Sequence, residues 1–210
     1  MDDVFKEFQD NISQIRQIGD VYTYLNETMK LHTIDVDDIL RSQIVNLISA
    51  LDRYLHEKVR MGLCDIFLGN RPATVKSKTF SLTSGTVMRI WGDPTLTSIE
   101  KEMLINDAIS QKLKTLSFQQ TVKIKDALSF LWEEPQKMTL LAKEMGVPGV
   151  TDNEKQRYLS QKLDLLVERR NQIAHESDMY IGGKRTITKD DVKEAVDFIE
   201  IFVGCLNNHI

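Results

Sequence analysis

The chain has 210 residues, 41% of them hydrophobic, and a net charge of −4. That length suits one large domain better than two, and the apolar content suffices for a sizeable core. The acidic balance excludes a broad electrostatic nucleic-acid binder but leaves room for a small basic pocket, and no apolar run approaches the ~20 residues of a membrane span.

Nearly all of the sequence carries helical periodicity. Val4, Phe5, Phe8, Ile12 and Ile15 recur at helical spacing, and a second short helix is expected over about 21–31. Ile44, Ile48, Leu51, Leu55 and Val59 give the strongest pattern and predict one long helix over about 36–68, with Gly62 as a bend point. Periodicity then vanishes between Gly69 and Asp93. Arg71-Pro72, the stretch from Ser81 to Gly85, and Gly92-Asp93-Pro94 are breakers, so a functional or partly extended loop is expected there. Lys76, Lys78 and Arg89 make that loop locally basic.

Helices resume behind start signals. Thr97 with Glu100, Ser117 with Gln120, Thr151 with Glu154 and Thr188 with Asp191 match or approach a capping box. They predict helices near 98–115, 118–132, 136–145, 152–178 and 189–208. Ile181-Gly182-Gly183-Lys184 reads as a turn with short extended flanks. The expected fold is all-α: a single domain over 1–210, core helices 36–68, 152–178 and 189–208 forming a bundle, and an inserted helical and irregular middle region over about 70–150.

The opening Met1-Asp2-Asp3 lacks the basic-then-apolar pattern of a signal peptide. With two isolated cysteines, Cys64 and Cys205, the expectation is a cytoplasmic protein with reduced, buried thiols. No His/Cys cluster has zinc spacing, and there is neither a glycine-rich phosphate loop nor a serine nucleophile elbow, so no metal and no cofactor is expected. Trp91 and Trp132 read as core or interface anchors. His32 and His209 are isolated and read as surface residues.

The most informative segment is Glu168-Arg169-Arg170-Asn171-Gln172-Ile173-Ala174-His175-Glu176. The helix over 152–178 has the apolar stripe Leu159, Leu163, Leu166, Ile173, and at ~100° per residue Arg170 falls at its centre. A cation there costs stability unless an anionic or polar group meets it. His175 follows, and histidine is the side chain best suited to moving protons near neutrality. Arg170 and His175 lie ~140° apart around an ideal helix, whereas Asn171 and His175, at i,i+4, share a face. Either the arginine reaches round, or the helix loosens, or a second subunit completes the site.

This segment resembles the active-site signature of the HEPN superfamily: an Arg, a polar residue, then a His four to six residues after the Arg, on a late helix of an all-α bundle. Further blocks, Leu51-Asp52-Arg53-Tyr54-Leu55-His56-Glu57, Ser117-Phe118-Gln119-Gln120 and Lys123-Ile124-Lys125-Asp126-Ala127-Leu128, are similar to the RiboL-PSP branch of that superfamily, over roughly residues 36–208. The resemblance implies a metal-independent endoribonuclease working as a homodimer on tRNA or mRNA, leaving 2′,3′-cyclic phosphate and 5′-hydroxyl ends. It further implies a toxin or host-defence effector, with an antitoxin or regulatory partner. Arg170 would stabilise the phosphate, His175 would move protons, and Asn171 would bond phosphate or fix the site. Asp52 and His56, i,i+4 on the long helix, read either as a support for Arg170 and a cleft residue or as the polar edge of a core helix. Arg169 reads as an RNA-backbone contact or an exposed surface cation, and Glu176 as a neighbour of the site. The alternative from a different class is a non-catalytic helical module that dimerises or holds a partner.

Overall fold

The computed structural model describes residues 3–31 and 35–210; His32 lies outside the described residues. The fold is all-α. Eight α-helices account for nearly all regular structure among those residues: α1 (Asp3–Thr23), α2 (Asp37–Leu68), α3 (Ser84–Gly92), α4 (Ser98–Leu113), α5 (Thr121–Leu128), α6 (Lys137–Glu144), α7 (Asp152–Glu176) and α8 (Lys189–Asn207). Two-residue strands β1 (Met179–Tyr180) and β2 (Gly183–Lys184) form a small antiparallel hairpin between α7 and α8. None of the described helices is long and apolar enough to cross a membrane.

The chain divides into two compact units, one of residues 1–54 and 138–208, the other of residues 55–137 and 209–210. In the first unit the buried faces are those the periodicity marks: Val4, Phe8, Ile12 and Ile15 on α1, Ile44, Leu47, Ile48 and Leu51 on α2, Leu159, Leu163, Leu166 and Val167 on α7, and Val192, Val196, Ile199, Phe202, Val203 and Leu206 on α8. Polar links fix the register between these helices. The buried Gln43 donates to the Ile15 carbonyl at 2.7 Å, Tyr54 donates to Asn207 at 3.0 Å, Arg16 meets Asp197 and Glu200, and Lys162 meets Glu194. Removing about 25 cal/mol per Å² of apolar surface from water drives this assembly, and each amide or hydroxyl link satisfies a group that would otherwise be buried unpaired.

In the second unit the C-terminal half of α2 buries Val59 and Leu63 with Ile90 of α3, Ile105, Ile109 and Leu113 of α4, and Ile124 and Leu128 of α5. Here sequence and structure differ in instructive ways. Gly62 does not interrupt α2; a Cβ at that position would lie 2.3 Å from a methyl of Leu131, so any side chain there would force that leucine to shift. The stretch expected as a loop contains the nine-residue α3, capped by Thr83 Oγ1 accepting from the Thr86 amide at 3.2 Å and anchored by the fully buried Ile90. Ser117 caps nothing: α5 starts later, at Thr121, with Gln120 at the cap position and no side-chain cap. Near the N-terminus, α1 runs unbroken to Thr23 and continues as a π-helical segment, Tyr24–Thr28, in place of a separate second helix.

The basic loop is partly structural. Lys76 lies 2.8 Å from Asp126 and 5.4 Å from the Phe130 ring centroid, whereas Lys78 and Arg89 are exposed. His209 is not an isolated surface residue; it stacks on Trp132 with ring centroids 4.5 Å apart. Cys64 is buried and Cys205 half-buried, both free, and burial pushes both thiols up from the ordinary cysteine value.

Candidate active site

Helix α7 starts on a complete capping box, Thr151 with Glu154, whose carboxylate accepts from the Val150 and Thr151 amides at 2.9 Å. Those hydrogen bonds hold Glu154 below the usual carboxylate range. Capping fixes the helix start and hence the rotation that carries Leu159, Leu163 and Leu166 into the core and delivers Arg170 to the end of the same stripe. Arg170 is half-buried. Its Nη1 donates to Asn171 Oδ1 at 3.0 Å, and its Nε is enclosed with no hydrogen-bond partner among the described residues. No carboxylate among those residues pairs with it.

His175 occupies the last turn of α7 and is exposed. Among the described residues it makes no hydrogen bond or ion pair, with Arg170 or any other group, so its ring nitrogens are open to solvent. Arginine and histidine are thus on one helix end but differ in setting: the cation lies along the buried stripe and the imidazole faces water. Asn171, half-buried, holds the arginine through its carbonyl oxygen.

A buried ion-pair cluster dominates the electrostatics of this helix end. Beyond His175 the backbone turns through two left-handed residues, Ser177 (φ 50°) and Asp178 (φ 59°), neither of them glycine. Both amide N–H groups reach back to the Gln172 carbonyl. Such backbone is costly for residues with a Cβ, though Asp tolerates it better than most. Asp178 is completely buried and its carboxylate is gripped by two arginines. Arg41 Nε of α2 donates to Oδ2 at 2.6 Å, Arg169 Nη2 donates to Oδ2 at 2.9 Å, and Arg169 Nη1 also bonds Oδ1. The clamp extends to the backbone: Arg41 Nη2 donates to the Arg185 carbonyl at 2.8 Å and Arg169 Nη2 to the Thr186 carbonyl at 3.2 Å. Arg41 is nearly buried, which alone would lower its pKa, yet the hydrogen bond and charge of Asp178, with Asp38 and Asp35 beyond, raise it above the ordinary arginine value. Lys184 of the hairpin joins the cluster, 2.7 Å from Asp38 and 3.1 Å from Asp35; its hydrogen bond holds Asp38 below the usual range.

Arg169 is therefore not an idle surface cation. Its guanidinium is committed to Asp178 and Thr186. Glu176 is exposed, 3.5 Å from Arg185 Nη1. Asp52 is half-buried on α2 in the first unit. His56, one turn later on α2, belongs to the second unit, where its ring packs tilted on Phe118 with centroids 4.4 Å apart. Two cavities of the first unit, about 310 and 220 Å³, are lined by residues such as Asn11, Asn46 and Arg53, or Arg16, Gln43 and Lys189; neither is lined by Arg170 or His175. Among the described residues no three His, Cys, Asp or Glu side chains come together as a metal-ligand set.

In comparison with known proteins, the family model described as RiboL-PSP-HEPN matches residues 2–210. No curated protein and no solved structure matches the chain.

Proposed function

The chain belongs to the RiboL-PSP-HEPN family, which suggests a nuclease or RNA-related function, and from that premise we propose that it is a metal-independent endoribonuclease. The observation that carries the proposal is the contrast among three arginines of one unit. Arg41 and Arg169 have their burial offset by Asp178. Arg170, on the apolar stripe, has only the neutral Asn171 and an unpartnered Nε. A half-buried guanidinium without a counter-ion is unfavourable for stability alone and suited to an anion supplied from outside, for which its planar donor fork fits phosphate.

The reaction follows from the substrate. The ribose 2′-oxygen attacks the adjacent phosphorus as its proton passes to a base; the P–O5′ bond breaks as the 5′-oxygen receives a proton from an acid. A 2′,3′-cyclic phosphate and a 5′-hydroxyl result, and DNA, lacking the 2′-hydroxyl, is spared. His175, solvent-facing and free of protein partners, performs a proton transfer. Arg170 offsets charge growing on the equatorial phosphate oxygens, and Asn171 sets the direction of its fork. Two proton transfers need two groups, and each chain offers one such histidine beside the motif arginine. A homodimer with two motif helices facing one cleft supplies both, and brings His175 of one copy towards Arg170 of the other. Substrates are tRNA or mRNA. The role is that of a toxin or defence effector restrained by an antitoxin or regulatory partner, acting in the cytoplasm.

The test is incubation of the purified protein with total RNA in EDTA, beside Arg170→Ala and His175→Ala. Cleavage by the wild type alone, with cyclic phosphate at the new 3′ ends, is the expected result. Cutting that survives both substitutions contradicts the roles given to Arg170 and His175; no cutting of any RNA contradicts the enzyme and favours a helical interaction module.

A further inference from the structure

The hairpin that follows the motif helix presents an apolar tip to water. Met179 is 54% exposed, Tyr180 63% and Ile181 92%. The strands are only two residues long, paired Met179 with Lys184 and Tyr180 with Gly183. The turn uses Gly182 (φ 97°) and Gly183 (φ 141°), conformations that side chains resist. So short a hairpin is not independently stable; it is held because the Arg185 amide donates to the Asp178 carbonyl at 2.9 Å, and Asp178 itself is clamped.

Tyr180 is the side chain of this tip that has a cation against it. The Arg185 guanidinium lies 5.1 Å from its ring centroid, and Arg185 Nη1 is in turn fixed by donating to the Met179 carbonyl at 3.2 Å. One side of the phenol is thereby backed by a cation, and the ring still keeps most of its surface in water. Aromatic rings and arginine planes presented together are how unpaired bases are bound, because every base has a π-face and the backbone is anionic. The chain from His175 to Tyr180 spans at most about 18 Å even if extended, a reach of a few nucleotides.

We propose that Tyr180, backed by Arg185, is a stacking platform for an unpaired nucleobase of single-stranded RNA close to the scissile phosphate, and so selects unstructured over duplex substrate. This rests on the ribonuclease reading for its substrate class. A protein partner fits the patch less well: three side chains on a hairpin tip fall far short of the roughly 800 Å² per side that stable protein interfaces bury.

The experiment uses the full chain carrying His175→Ala, so that RNA is not consumed, and an end-labelled single-stranded RNA of mixed sequence, with its duplex as the second probe. Fluorescence anisotropy gives the affinities. Adding Tyr180→Ala is expected to weaken single-strand binding by about five- to a hundred-fold, with Tyr180→Phe within about two-fold of its parent because the ring, not the hydroxyl, makes the contact. The duplex is expected to bind more weakly and to be indifferent to both changes. Melting curves confirm folding, since Tyr180 is exposed. The inference is overturned by equal affinities with and without the ring, by a Phe variant as weak as the Ala variant, by no RNA binding in the parent, or by a loss of affinity that coincides with a change of oligomeric state, which would make the hairpin a subunit contact. Cleavage of total RNA by the wild type is read separately. Cutting that depends on His175 while Tyr180→Ala binds normally sinks the platform alone; tight, ring-dependent binding without cutting sinks the nuclease alone.

Discussion

Replacing Asp178 by Asn is expected to be among the most damaging conservative changes in this chain. The substitution keeps shape and tolerance of left-handed backbone, but it removes the charge and turns one of two accepting oxygens into an NH2 donor set against an arginine N–H. Asp178 has no exposed surface, and the side chains of Arg41 and Arg169 are 7% and 21% exposed. Without the carboxylate, Arg41 is left buried with only the Arg185 carbonyl and the more exposed Asp38 and Asp35. Breaking a buried ion pair from one side costs about 3–5 kcal/mol. The second arginine adds less, because its partly exposed head can recover hydration. For a domain of this size each kcal/mol shifts Tm by about 2–4 °C, so a fall of roughly 6–20 °C is expected. Thermal and urea unfolding followed by circular dichroism measure it, with Arg53→Ala as the control. That residue bonds Glu7 at 2.6 Å but is 61% exposed, and its loss is expected to cost less than about 1 kcal/mol. Asp178→Asn no more harmful than Arg53→Ala would refute the claim that the carboxylate holds the helix end together.

Further consequences can be checked independently. Thr151→Ala removes the cap of α7 and is expected to cost about 1 kcal/mol in urea unfolding; an unchanged midpoint would mean that α7 does not depend on its capping box. Asp38 is held below the ordinary carboxylate range by its hydrogen bond from Lys184. Its stabilisation is therefore complete above the unfolded value, near pH 4, and lost as pH falls through the lower folded value. The stability gap between wild type and Asp38→Asn should shrink on acidification from about pH 6 to pH 3, and a constant gap contradicts the pairing. Burial raises both thiols, Cys64 with added repulsion from Glu102 and Asp65. Alkylation at mildly alkaline pH should thus be much slower in the native protein than in urea, and equal rates would show the thiols to be freely ionising.

How far the sequence carries depends on the range of the interaction. The long helices and three capping boxes are written in neighbouring residues, and α2, α7 and α8 start and end within two residues of expectation. Helix α3 escapes because its nine residues bury one side chain, Ile90, while its other large apolar residues, Val87, Met88 and Trp91, are exposed and trace no buried stripe. Arg170 is legible because it breaks a periodic stripe. The Asp178 clamp is not: Arg41 and Asp178 are 137 residues apart, and the left-handed turn lacks the glycine that would mark it. Arg169 therefore reads as a surface cation when its immediate neighbours alone are considered. For the same reason the i,i+4 pairing of Asp52 with His56 does not reveal that the imidazole packs on Phe118.

Single-turnover cleavage of one RNA by wild type, Arg170→Ala, His175→Ala and the double variant tests the central claim most directly. If both groups act on the same phosphate, each single change lowers the rate by about 10²–10⁴-fold and the double change costs far less than the product of the two. Fully multiplicative effects, or a rate untouched by either substitution, would contradict a shared site.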